Sequence, residues 1–167
     1  MALFRRRERV RRVAADRYEI GLPDVERQLL VQLVDQLRDV LLVTTDDPVV
    51  RRLFPTAYHE DADRDQEYQQ LVRDELLERR LASLATLEET AKATSVTEGE
   101  LTAWLTAIND LRLVLGTGLD VSEDDGWVDE DDPDAPTYAV YGYLGLLLSD
   151  IVDALHDGLP PPTDTEI

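Results

Sequence analysis

Hydrophobic and polar positions along most of the chain recur with a helical period. Leu101, Trp104, Leu105, Ile108, Leu111 and Leu115 fall on one side of a helix at about 100° per residue. Thr97 and Glu100 have capping-box spacing, so this helix is expected to start there and to stop at Gly116-Thr117-Gly118. Leu29, Leu30, Leu33, Leu37, Val40 and Leu41 form a second stripe. It predicts a helix from Asp24 to Val43, opened by Pro23, with Asp24 and Glu26 at the positive end of the helix dipole. A last helix is predicted from Thr137 to His156, with a stripe of Tyr141, Leu144, Leu148, Ile151, Val152 and Leu155, closed by Gly158 and the prolines after it.

Between these lie less regular elements. Asp47-Pro48 starts a short helix through Leu53 that must end before Pro55. Arg64 to Lys92 is helical throughout, but its apolar face moves: Tyr68, Leu71 and Val72 share one side, whereas Leu77, Leu81 and Leu84 lie nearly opposite. That switch implies two packing partners or a break near Arg79-Arg80. From Arg9 to Leu22 the alternation of Tyr18, Ile20 and Leu22 indicates a short hairpin turning at Ala15-Asp16. The expected fold is mainly α, a compact bundle of about four to five helices with a short N-terminal β-hairpin. Residues 1–22 form an Arg-rich arm and the hairpin, 23–158 a helical domain with an acidic loop at 120–136, and 159–167 a disordered tail.

Two charges interrupt the apolar stripes. Arg112 projects between Leu105 and Ile108, and Glu26 falls at the centre of the Leu30/Leu37 face. The simplest arrangement is a buried Glu26–Arg112 pair that fixes helix register; the alternative is an arginine that binds an anionic ligand. Removing one partner of a buried pair costs roughly 3–5 kcal/mol. Glu75 and Arg79 stand at i, i+4 spacing beside the Tyr68 face and could join Asn109 and Asp110 in a polar network, although such pairs are usually solvated.

Composition narrows the chemistry. The 167 residues carry a net charge of −19, which argues against general nucleic-acid binding. Charge is unevenly placed: Met1 to Arg17 holds seven arginines against Glu8 and Asp16, a net +5, leaving −24 for the rest. That polarity suits head-to-tail association or docking of the arm on an acidic partner, with a homodimer as a separate option; a solvated terminus is the plainer reading. Cysteine is absent, which removes disulfides, thiolate nucleophiles and cysteine metal sites. No apolar run suggests a signal peptide, and none approaches the ~20 apolar residues of a membrane span, so a cytoplasmic protein is expected.

Catalytic motifs find little footing. From Asp120 to Asp134 nine of fifteen residues are acidic, yet an EF-hand register on Gly126 puts Val121 where a carboxylate is needed and Asp132 where a bidentate Glu belongs. His59-Glu60-Asp61 has no second histidine at helical spacing, and His156 stands near a helix end. There is no GxSxG, and Gly116-Thr117-Gly118 closes a helix where a phosphate cradle would open one. No catalytic residue, cofactor or metal is expected.

The blocks LPDVERQLLVQLVDQL (Leu22 to Leu37), DPVVRRLFPTAY (Asp47 to Tyr58), AWLTAINDLRLVLGTGL (Ala103 to Leu119) and YGYLGLLLSDIVDAL (Tyr141 to Leu155) resemble a largely uncharacterised actinobacterial family that includes AosR-type oxidative-stress regulators. The resemblance implies a gene often placed near that of the ClpS proteolytic adaptor. It also implies contact with a stress sigma factor or another transcription or proteolysis component, using a cysteine pair as redox sensor. This chain has no cysteine, so the contact role carries over and the disulfide switch does not. The expected function is non-enzymatic regulation through protein contacts at the arm (Arg5, Arg6, Arg7, Arg9, Arg11, Arg12) and at Phe54 and Tyr58, unless those aromatics fold into the core. The alternative is a small-molecule sensor or enzyme with a polar pocket lined by Arg112 and Glu26.

Overall fold

The computed structural model describes residues 8–43, 48–54, 62–119 and 130–157. Strands β1 (Val10–Ala14) and β2 (Arg17–Ile20) form the hairpin, with Val10 opposite Ile20 and an irregularity between Arg12 and Ala14 that tightens it into the Ala15-Asp16 turn. A third strand, β3 (Ser95–Val96), pairs antiparallel with β2 and makes a three-stranded sheet in the order β1-β2-β3. Helix α1 spans Asp24–Val43 and a 3-10 helix spans Pro48–Leu53, so the proline-initiated turn winds more tightly than an α-helix. Helices α2 (Ala62–Thr90), α3 (Glu98–Gly118) and α4 (Ala135–His156) complete the chain.

The elements assemble around α3, which packs on α2, α4, α1, β2 and the 3-10 helix. Its stripe of Leu101, Trp104, Ile108 and Leu111 is buried, and Trp104 Nε1 donates to Thr90 Oγ1 of α2 at 2.7 Å, which satisfies the buried indole. Thr97 accepts from the Glu100 N–H at 3.2 Å, the expected cap. At its far end α3 passes through Gly116 and ends at Gly118, within the expected Gly116-Thr117-Gly118 stop. Gly116 is there for closeness: a Cβ would come within 3.0 Å of the Tyr141 ring of α4.

Of the two alternatives for α2 the break is excluded: the helix is unbroken at Arg79-Arg80, with Leu71 70% exposed while Leu84 and Leu87 are buried. Two expectations for α4 are corrected. Helix α4 starts two residues early, at Ala135, with Pro136 in its first turn. By length and composition α4 is also apolar enough to cross a membrane, with a mean hydropathy of 1.3. Its Leu144, Leu147, Ile151 and Ala154 are buried, and α3 is its principal packing partner. The acidic run lies largely, and the tail wholly, outside the described residues.

Arg27 joins sheet and helices. Its guanidinium donates to the carbonyls of Leu22 and Ile20 at 2.8 Å and of Ala91 and Ala93 at 2.7 Å, tying the entry to α1 to the turn between α2 and β3. Removing it would leave these carbonyls short of donors in a partly buried site. Arg27→Met is therefore expected to lower unfolding free energy by about 2–3 kcal/mol in urea titrations. A loss below about 0.5 kcal/mol, within surface-substitution noise, would show that the clasp is dispensable.

Candidate functional site

The hairpin, α1 and α4 meet in a chain of polar side chains. Tyr143 and Asp150 are two turns apart on one side of α4. Arg9, just ahead of β1, donates through Nη1 to Asp150 Oδ2 at 3.1 Å, and its guanidinium lies 5.9 Å from the centre of the Tyr143 ring. The Tyr143 hydroxyl donates to Glu26 Oε2 at 2.8 Å. Burial, and then the bond to Glu26, push the phenol well above its ordinary 10. It therefore stays a protonated donor, which suits a fixed link better than proton transfer. Chemically the cluster anchors: it ties Arg9, two residues after the arginine run Arg5 to Arg7, to α4, and α4 in turn to α1.

Glu26 and Arg112 do not pair with each other. Each meets a tyrosine of α4: Glu26 takes the Tyr143 hydroxyl, and the Arg112 guanidinium stacks 4.6 Å from the Tyr141 ring centre. Gly145 leaves room for it, since a Cβ there would sit 3.3 Å from Arg112 Nε, an atom that is buried without a hydrogen-bond acceptor. The cavities lined by Arg12 and Asp153 and by Arg27 and Lys92 are elsewhere, and neither includes Arg112 or Glu26.

The buried ion pair belongs to other residues. Asp110 is 1% exposed and accepts from Arg80 Nη1 of α2, joining the two most extensively packed helices. Asp110 and Arg112 are two residues apart, about 200° around the helix, so one faces α2 and the other α4. Desolvation raises the Asp110 carboxyl above 3.8, opposed by the Arg80 bond. The expected network is not assembled: Glu75 and Arg79 pair at 2.5 Å but are 61% and 72% exposed, and Asn109 is exposed.

Of the expected contact residues, Phe54 is corrected to the interior, buried with Val50 and Leu53 in the core. Its aromatic ring has more apolar area to bury there than a solvated contact would allow. Arg11 pairs with Glu19 at 3.3 Å and Arg12 donates to the Ala15 carbonyl at 3.1 Å. Arg5, Arg6, Arg7 and Tyr58 lie outside the described residues. Sequence reasoning passed over Tyr143, Asp150, Arg80 and Arg27. Arg80 had a signal, since it stands at i, i+4, i+7 spacing with Leu84 and Leu87.

A family model described as "Domain of unknown function (DUF2017)" matches residues 1–155. The chain belongs to this family. No curated protein and no solved structure matches it. The domain-family match spans β1 to α4, so the Arg9–Asp150 anchor and the Arg80–Asp110 pair both lie within it.

Arg80→Met alone is expected to destabilise the fold by roughly 3–5 kcal/mol by stranding a buried carboxylate, and adding Asp110→Leu should restore much of that loss. A double-variant loss equal to the sum of the two single losses would show that the two residues act independently. The pH dependence has a definite sign. Because the folded carboxyl titrates above the unfolded 3.8, the native state binds the proton first, and stability gains as pH falls through that interval. Relative to Asp110→Asn, the parent chain should gain stability toward acid in denaturant titrations. A relative loss would reverse the assignment.

Proposed function

We propose that this chain is a non-enzymatic regulatory protein that works by docking on another protein, in stress-linked transcription or in control of proteolysis. One observation carries the reading: in the first half of α2 Tyr68 and Leu71, one turn apart on one side, are 47% and 70% exposed, while Leu84 and Leu87 of its second half are buried in the core. Apolar side chains held on a rigid helix outside the core suit a groove on a partner. The resemblance to AosR-type regulators supports a sigma factor or a proteolysis component as that partner. With no cysteine in the chain, control by a disulfide has no chemical basis here. The contact would be set by abundance, by charge, or by a change in the partner.

Affinity capture from the native host with the parent chain and with Leu71→Glu tests this. The parent should recover a transcription or proteolysis component, and Leu71→Glu should lose it by about tenfold or more while keeping its unfolding midpoint. Recovery of no such component, or equal recovery by both chains, would defeat the proposal.

A further inference from the structure

Beside the Arg27 clasp a groove of about 580 Å³ lies open between α1 and the turn that follows α2. Asp24, Gln28 and Gln32 line it from α1 at i, i+4 and i+8, a single row along the helix, and Lys92 lines it from the turn. Val31 and Ala91 contribute its apolar surface. The four polar residues of the lining are exposed, and among the described residues none of them has a side-chain hydrogen bond or an ion pair. Arg27, by contrast, is spent on the fold. Its bonds to the Ala91 and Ala93 carbonyls at 2.7 Å hold the turn against α1, so the groove is already formed before anything enters it. The local charge is also unlike that of the molecule. In a chain of net −19, Arg27 and Lys92 against Asp24 leave this groove at 2 − 1 = +1.

We propose that this groove binds an extended segment of a partner protein that carries one acidic side chain. A primary amide offers two donors and an acceptor, so Gln28 and Gln32 can each bond the N–H and the C=O of one peptide unit. Spacing fits this role: the two amides are separated by a rise of about 6 Å along α1, close to the ~6.6 Å between alternate residues of an extended chain. Lys92, the only lysine, supplies the counter-charge for the acidic side chain. Complementarity favours this site over others, because the negative field of the rest of the molecule repels an acidic segment. Asp24 at the end of the row opposes a second acid there, which restricts the segment to one. The inference names a second contact for the docking function and rests on that reading, but it concerns a different face from Leu71.

Fluorescence anisotropy with the purified full chain tests it, using two pools of fluorescein-labelled pentapeptides that have Glu or Gln fixed at the centre and uncharged residues randomised around it. The parent should bind the Glu pool about tenfold more tightly than the Gln pool, and Lys92→Gln should abolish that preference. Q28A/Q32A should weaken both pools by about tenfold or more. The substituted residues are exposed, so an unchanged unfolding midpoint confirms the fold of each variant. Failure of the parent to bind the Glu pool overturns the proposal outright. Equal affinity for the two pools overturns the role of Lys92, and full affinity in Q28A/Q32A overturns the amide row. N-acetylglutamate that displaces the Glu pool with the affinity of the peptides themselves would make the site one for a small acid, and the peptide segment is then wrong. If the peptides fail while Leu71-dependent capture persists, only the groove is lost; if they bind and no host component is recovered, the regulatory role is lost instead.

Discussion

Helix α3 is packed on more of its circumference than an amphipathic helix usually is, and that constraint determines where charge can go. With α2 on one flank and α4 on the other, a polar residue on either flank enters a low-dielectric contact and needs a partner there. Asp110 finds a guanidinium across the α2 interface. Arg112 finds the face of an aromatic ring across the α4 interface, which attracts a cation without a counter-ion. Gly116 and Gly145 then follow from the same constraint, because a bulkier residue at either would push the stacked ring and guanidinium apart.

A helix enclosed in this way also explains the division of the molecule. The core gathers where α3 is flanked, with Leu84 and Leu87 of α2 and Leu144 and Ile151 of α4 buried beside it. Elements that extend past α3 are left to other roles. The first half of α2 carries Leu71 into solvent. The sheet closes the end of the assembly where α3 begins: the Glu98 N–H is capped by Asp16 at 2.8 Å from the hairpin turn.

Local signals were legible in the sequence, and contacts between distant segments were not. The Ala15-Asp16 turn, the start of α1 at Asp24 after Pro23 and the Thr97 cap are encoded by neighbouring residues, so they could be read directly. Strand β3 was invisible because two residues show no alternation; it exists because β2 would otherwise leave its second edge unpaired. Periodicity placed Glu26 on the inward side of α1, yet it reports a face and never a partner. Nothing in the spacing tells whether a guanidinium or a phenol lies opposite. Arg112 was misjudged for a related reason, since a single stripe model assigns α3 one buried face when it has two flanks. The acidic run and the arginines ahead of Glu8 were legible only as charge.

The excess of arginine, sixteen against the single Lys92, acquires a physical meaning in the fold. Arg27 satisfies four carbonyls from two connections at once, a task that needs a planar fork with donors along several edges. Arg112 lies over a ring and Arg9 combines ring contact with a carboxylate, which suits a delocalised and weakly hydrated cation. An ammonium offers three donors at one point and holds its water more tightly, so it would serve poorly in any of these places. The arginines that join elements here do so through shape as much as charge.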